Sequence, residues 1–225
     1  MSLEVRRGGA RFVTVEAGRE TRHSFSFGPH YDPANLGFGL LVSHNDDLLA
    51  PGAGYPDHPH QEIEVVTWVL SGALAHRDSV GSSGVLTPGE VQVMSAGTGV
   101  VHSELAAPDA GETRFVQTWV RPDAWGATPS YASAVADPGP GWTAVVGGDG
   151  LPIGASGATL WISAAAAGDA LVVPEVAHAH LFVATGAACL GDLELAEGDA
   201  VRFTGEGGDL RVVSPGGLML WTFDA

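Results

Sequence analysis

The chain has 225 residues, 45% hydrophobic and 16% charged, enough for a substantial core and unlike a disordered segment. Its 26 acidic and 10 basic residues give a formal net charge of −16, a field that repels phosphate backbones and anionic lipid surfaces and so argues against nucleic-acid binding or membrane association. Cys189 is the single cysteine, so no intrachain disulfide forms.

The opening "MSLEVRRGGARF" lacks the apolar stretch of a secretory signal. No apolar run reaches membrane-spanning length, since "ISAAAAGDALVV" is broken by Gly168 and Asp169. A cytoplasmic monomer is expected. Strand patterns then dominate. "RFVTVEA", "FGLLVS", "EVVTWVL", "EVQVMSA" and "TRFVQTWV" fill the first half, and "TAVVGG", "TLWISA", "LFVAT", "DAVRFTG", "LRVVS" and "LMLWTF" the second. Gly, Pro, Asp and Ser clusters separate them, and helical periodicity is absent. The punctuated stretch 121–142 reads as a linker or crossover. The halves also repeat: "SGAL" then "LTPGEVQVM" in the first, "TGAA" then "LAEGDAVRF" in the second, which aligns Gly72 with Gly186 and Gly89 with Gly198. Two small antiparallel β-barrels in tandem explain this order. The alternative is one sandwich of about ten to twelve strands.

"HPHQEIEVV" carries the first chemical signal. Side chains alternate along a strand, so His58 and His60 point to one face, joined by Glu62, Glu64, Val66 and Trp68 if the strand stays extended. Pro59 cannot donate a ladder hydrogen bond and marks an edge or a strand start. In "SAGTGVVHSEL", His102 and Glu104 alternate onto one face, after Gly97 and Gly99 allow a tight turn. Three imidazoles and a carboxylate form an N3O donor set for a divalent transition metal, with open positions left on an octahedral ion. A lone strand histidine is more often a surface or hydrogen-bonded core residue; the second pair outweighs that reading. Periodicity alone does not separate Glu64 from Glu104 as the fourth donor.

Other motifs fail. "AGTGVV" runs into a strand pattern rather than a helix start, so it is no phosphate cradle. "HRD" at 76–78 lacks every other kinase element. Cys189 sits in an apolar run and reads as buried. His178 and His180 repeat the His-x-His spacing in the wrong register: His180 lies six residues before Gly186, where the first unit has Val66. Arg211 and Val213 stand where His102 and Glu104 would fall. The second unit therefore lacks the back half of the site, and His178 and His180 read as surface or pocket-lining polar residues.

"HPHQEIEVVTWVLSGALAHRDS", "GEVQVMSAGTGVVHSE" and "HSFSFGPHYDPANLGFGLLVSHNDD" resemble the pirin-like family, closely over residues 23–122 and loosely beyond. The resemblance implies a tandem cupin, with a metal-binding N-terminal cupin over 1–125 and a metal-free C-terminal cupin over 126–225. It implies one divalent metal per chain on His58, His60, His102 and Glu104, with Fe(II) the first choice and Mn, Co, Ni, Cu or Zn also compatible with such donors. Glu64 becomes an outer partner or a charge near the substrate, and His76 and Asp78 orient neighbours at the barrel rim. The implied activity is dioxygenation of quercetin-like flavonols or related chelating phenolics. Glu104 or Glu64 would take the hydroxyl proton, and Val66, Trp68 and Met94 would line the pocket. The alternative is a non-enzymatic, iron-binding redox sensor acting through protein partners. A substrate of the sugar-phosphate class is disfavoured by the scattered basic residues.

Overall fold

The computed structural model describes residues 2–224, and among these the only helical element is a single 3-10 turn, Gly8–Ala10. Two compact units form, each an antiparallel β-barrel, as expected of a tandem cupin. The first holds residues 12–136 and 151–156. The second holds the N-terminal segment up to Arg11, Asp137–Gly150 and the chain from Gly157. The anticipated boundary at 125/126 differs from this division in three places, one being the return of residues 151–156 to the first unit. Strand β1 (Ser2–Arg6) pairs with a strand far along the chain, Ala200–Ser214, and so completes the second unit. The stretch read as a linker contains Ser130–Val135, which pairs with Glu90–Ser95 and stays with the first unit.

The first unit packs a seven-stranded sheet on a four-stranded one. The large sheet contains β2 (Phe12–Glu16), β3 (Arg19–His23), β4 (Leu41–Leu49), β6 (Glu64–Ser71), β9 (Glu90–Ser95), β11 (Thr113–Val120) and β12 (Ser130–Val135). The small sheet runs in the order β5 (Gly54–His60), β10 (Val100–Ala106), β7 (Leu74–Asp78), β8 (Ser83–Leu86). Period-two alternation gives the interior three levels. At one end Leu49, Val69 and Phe115 of the large sheet meet Leu74, Leu86 and Ala106 of the small one in a closed apolar plug. Polar side chains occupy the middle: Thr67, Gln92 and Gln117 from the large sheet, Glu104 from the small. Toward the other end Val65, Met94, Ala96 and Val100 cluster with Ile63, Trp119 and Tyr131. A surface cavity lined by Pro59, His60, Gln61, Gly99 and Val100 lies at this second end and marks the mouth.

The second unit is one sheet wrapped on a single apolar core. Its order is β13 (Thr143–Val146), β14 (Ala158–Ala165), β19 (Gly216–Phe223), β15 (Ala170–Val183), β18 (Ala200–Ser214), β16 (Ala187–Leu190), β17 (Leu193–Ala196), with β1 added beside β18. The patterns "DAVRFTG" and "LRVVS" merge into the single strand β18, and β15 absorbs Pro174 through a bulge between Val173 and Val176. The sequence repeat has a conformational basis. Gly72 and Gly186 adopt φ of 74° and 80°, and Gly89 and Gly198 both 86°. Only glycine enters that region without strain, so each barrel requires it at the same two turns.

Candidate metal centre

The small sheet builds the site by register. His58 of β5 lies directly opposite His102 of β10, and His60 lies opposite Val100, nearest the mouth. On the other side of β10, His102 faces Asp78 and Glu104 faces His76 of β7. Alternation turns His58, His60, His102, Glu104 and His76 toward the interior. The donor atoms of His58, His60 and His102 all lie within 4.8 Å of one another. Their ring centroids are 4.4–4.9 Å apart.

The nitrogens are prepared for an ion. The carbonyl of Pro56 accepts from Nδ1 of His58 at 2.8 Å, which leaves the Nε2 lone pair bare. Nε2 of His60 and both nitrogens of His102 are buried without a hydrogen-bond partner. Buried polar atoms are ordinarily satisfied. Burial, then the neighbouring His58, lowers the His60 pKa to about 4. Burial, then His58, His60 and His76, lowers that of His102 to about 2. Both rings are thus neutral donors near pH 7, the state a metal requires.

Glu104 is fully buried, on the next level inward. Gln92 Nε2 donates to its Oε1 at 2.8 Å and Gln117 Nε2 to its Oε2 at 2.6 Å, with the Thr67 hydroxyl 3.4 Å from Oε1. Burial raises its pKa to about 7 in spite of these donors. A carboxylate oxygen has two lone pairs, so Oε2 retains one for an ion. The structure groups Glu104 with His102 and His76, within 4.8 Å, rather than with His58 and His60. Gln117 also accepts from the Trp119 indole at 3.2 Å, and Trp119 packs its edge on His60 with centroids 4.8 Å apart. Phe27 meets Trp119 at 5.2 Å. One side of the centre is therefore aromatic, and the amides that hold Glu104 are tied to the ring that packs on His60.

Glu64 does not share the histidine face. The chain turns at Glu62, with φ 53°, and β6 enters the other sheet. Glu62 instead accepts the Gly126 N–H at 3.0 Å. Thr67 reaches the interior, so Glu64, Val66 and Trp68 lie on the opposite face by alternation. Glu64 accepts from Ser95 Oγ at 2.8 Å there. Of the three residues expected to line a pocket, Met94 packs in the interior cluster of the first barrel, whereas Val66 and Trp68 lie on the other face. Trp119, Tyr131, Gln92 and Gln117 were missed: each lies far from the histidines in sequence, and cross-strand pairing delivers them. In the second unit Leu181, Val201, Phe203, Leu210, Val212 and Leu220 fill the core. His178 and His180 alternate away from it, and His180 is buried opposite Arg202 and Trp221. Cys189 is buried, as expected. Among the described residues, the groups able to hold a metal both lie in the first barrel. Among the described residues no helix is long and apolar enough to cross a membrane.

Comparison with known proteins agrees with this picture. The Pirin family profile matches residues 6–120. The chain is 43% identical to a Mycobacterium bovis protein named "Putative quercetin 2,3-dioxygenase", over all of this chain and 96% of that one. It is 42% identical to the quercetin 2,3-dioxygenase of Escherichia coli K12 over 109 residues, 48% of this chain and 47% of that one. The crystal structure of the bacterial pirin YhhW from Escherichia coli in complex with nickel(II) superposes with a TM-score of 0.92 at 26% identity, covering 99% of both chains. The chain belongs to the pirin family.

Proposed function

We propose that the first barrel binds one divalent transition metal through His58, His60, His102 and Glu104, and that the centre is a dioxygenase of quercetin-like flavonols or related chelating phenols. The observation that carries this reading is the convergence of three imidazoles at a barrel mouth, two with buried nitrogens that lack partners. Relatives named for quercetin dioxygenation support the substrate class. Fe(II) is the first choice by donor type, and the crystal structure of the related YhhW in complex with nickel(II) supports a divalent transition metal. When bound, the ion would supply Lewis-acid stabilisation of a phenolate oxyanion.

The chain's own residues supply orientation, dryness and a proton acceptor. Trp119 and Phe27 form an aromatic wall beside His60, suited to a planar ring. Ile63, Val65, Met94 and Val100 keep water from it. Glu104 is the buried carboxylate beside His102 and the acidic group of this donor set, placed to receive the flavonol 3-hydroxyl proton. Gln92 and Gln117 hold that carboxylate from two sides. The test is dioxygen uptake with quercetin by metal-loaded and chelated protein. The loaded chain should consume dioxygen and shift the flavonol absorbance to longer wavelength, and His102→Ala should lose both effects. Absence of shift and uptake with Fe, Mn, Co, Ni and Cu alike refutes the flavonol reading.

A further inference from the structure

The three histidines at the mouth do not exhaust the donors of the barrel. His76 on β7 is 2% exposed, and its Nδ1 is buried without a hydrogen-bond partner. Its Nε2 lies 3.3 Å from Asp78 Oδ2. Asp78 is itself anchored, because its Oδ1 accepts the backbone N–H groups of Val80 and Ser82 at 3.0 and 2.9 Å. The ring stacks on Tyr131 with centroids 4.5 Å apart and planes at 21°. A carboxylate that fixes one imidazole nitrogen and leaves the other bare is the arrangement that orients histidines toward metals. Turn chemistry explains Asp78, but it does not explain a buried imidazole nitrogen with nothing to bond.

His76 also has partners for coordination. The donor atoms of His76, His102 and Glu104 all lie within 4.8 Å of one another, and all three residues are buried. The two donor sets are adjacent across β10. His58, His102 and Asp78 form one row, and Tyr55, Glu104 and His76 the next row inward. We propose that the barrel contains a second, deeper position for a divalent transition metal, formed by His76, His102 and Glu104 and sharing His102 and Glu104 with the mouth position. This rests on the reading that the mouth binds a metal. The shared ring makes the two positions alternatives for one ion. Moving inward keeps His102 and the buried carboxylate and exchanges His58 and His60 for the buried His76.

Co(II) is the probe, read by equilibrium dialysis and d–d absorption. The unmutated chain should bind one equivalent. His58→Ala/His60→Ala leaves a single imidazole at the mouth, and this chain should still bind one equivalent of Co(II), more weakly and with a changed spectrum. Adding His76→Phe, which keeps a ring against Tyr131, should cut the residual affinity by more than the roughly 10–100-fold that loss of an outer partner causes. Asp78→Asn in the same background should cost about 10–100-fold, and decides the matter if near-UV circular dichroism shows the His76→Phe chain unfolded. The deeper position is refuted if His58→Ala/His60→Ala binds no Co(II), or if its residual binding ignores the second-step substitution. Failure of the unmutated chain to bind Co(II) sinks the mouth reading as well.

Discussion

Glu104→Gln gives a quantitative test of the buried carboxylate. In the metal-free barrel the Glu104 pKa is about 7, raised chiefly by burial. The group therefore carries roughly 0.9 proton at pH 6 and about 0.1 at pH 8. A metal ligand must give up its proton, so binding the ion releases that fraction. Glutamine keeps the shape and has no such proton. Titration calorimetry in buffers of different ionisation enthalpy counts released protons. Subtracting the Glu104→Gln count from the unmutated count isolates Glu104, since every other group is common to both. The difference should be roughly 0.9 at pH 6 and about 0.1 at pH 8. The same proton makes the Glu104 contribution to affinity rise about tenfold, or about 1.4 kcal/mol, between those pH values. Equal proton counts for the two chains at pH 6 would refute a protonated, ion-linked Glu104.

Two further outcomes follow from the same geometry. Glu104→Ala should lose metal affinity more severely than Glu64→Ala, measured by chelator competition, because Glu64 lies on the opposite face and bonds Ser95; a larger loss in Glu64→Ala contradicts the assignment. Since burial raises the Glu104 pKa from 4.5 to about 7, the stabilisation tied to its protonated form is full below about pH 4.5 and disappears as pH rises through 7. The metal-free chain should therefore lose stability relative to Glu104→Gln across that window, and thermal melts at pH 5 and pH 8 that give an unchanged difference speak against it.

The histidine pairs were legible because strand alternation is local. His58 and His60 needed only an extended chain, as did His102 and Glu104. Glu64 was misplaced because the rule was carried through Glu62, whose positive φ redirects the chain into the other sheet. A non-glycine residue there gives no turn signal, and its stabilising contact is the distant Gly126. The repeat glycines were readable since two turns in each barrel demand positive φ. Register across strands was not readable. It brings Gln92, Gln117 and Trp119 to Glu104 and His60, and it places His76 beside Glu104. The N-terminal strand was missed for the same reason: β1 pairs with β18, almost the whole chain away.

The position of the ion decides between these assignments. Crystals of metal-loaded protein, measured at the absorption edge of the bound metal, locate it by anomalous scattering. One peak per chain is expected in the first barrel, about 2.0–2.2 Å from a nitrogen of His102. With the mouth position filled, nitrogens of His58 and His60 should lie at the same distance. A peak in the second unit, or none in the first barrel of a chain that retains its metal, would contradict the account.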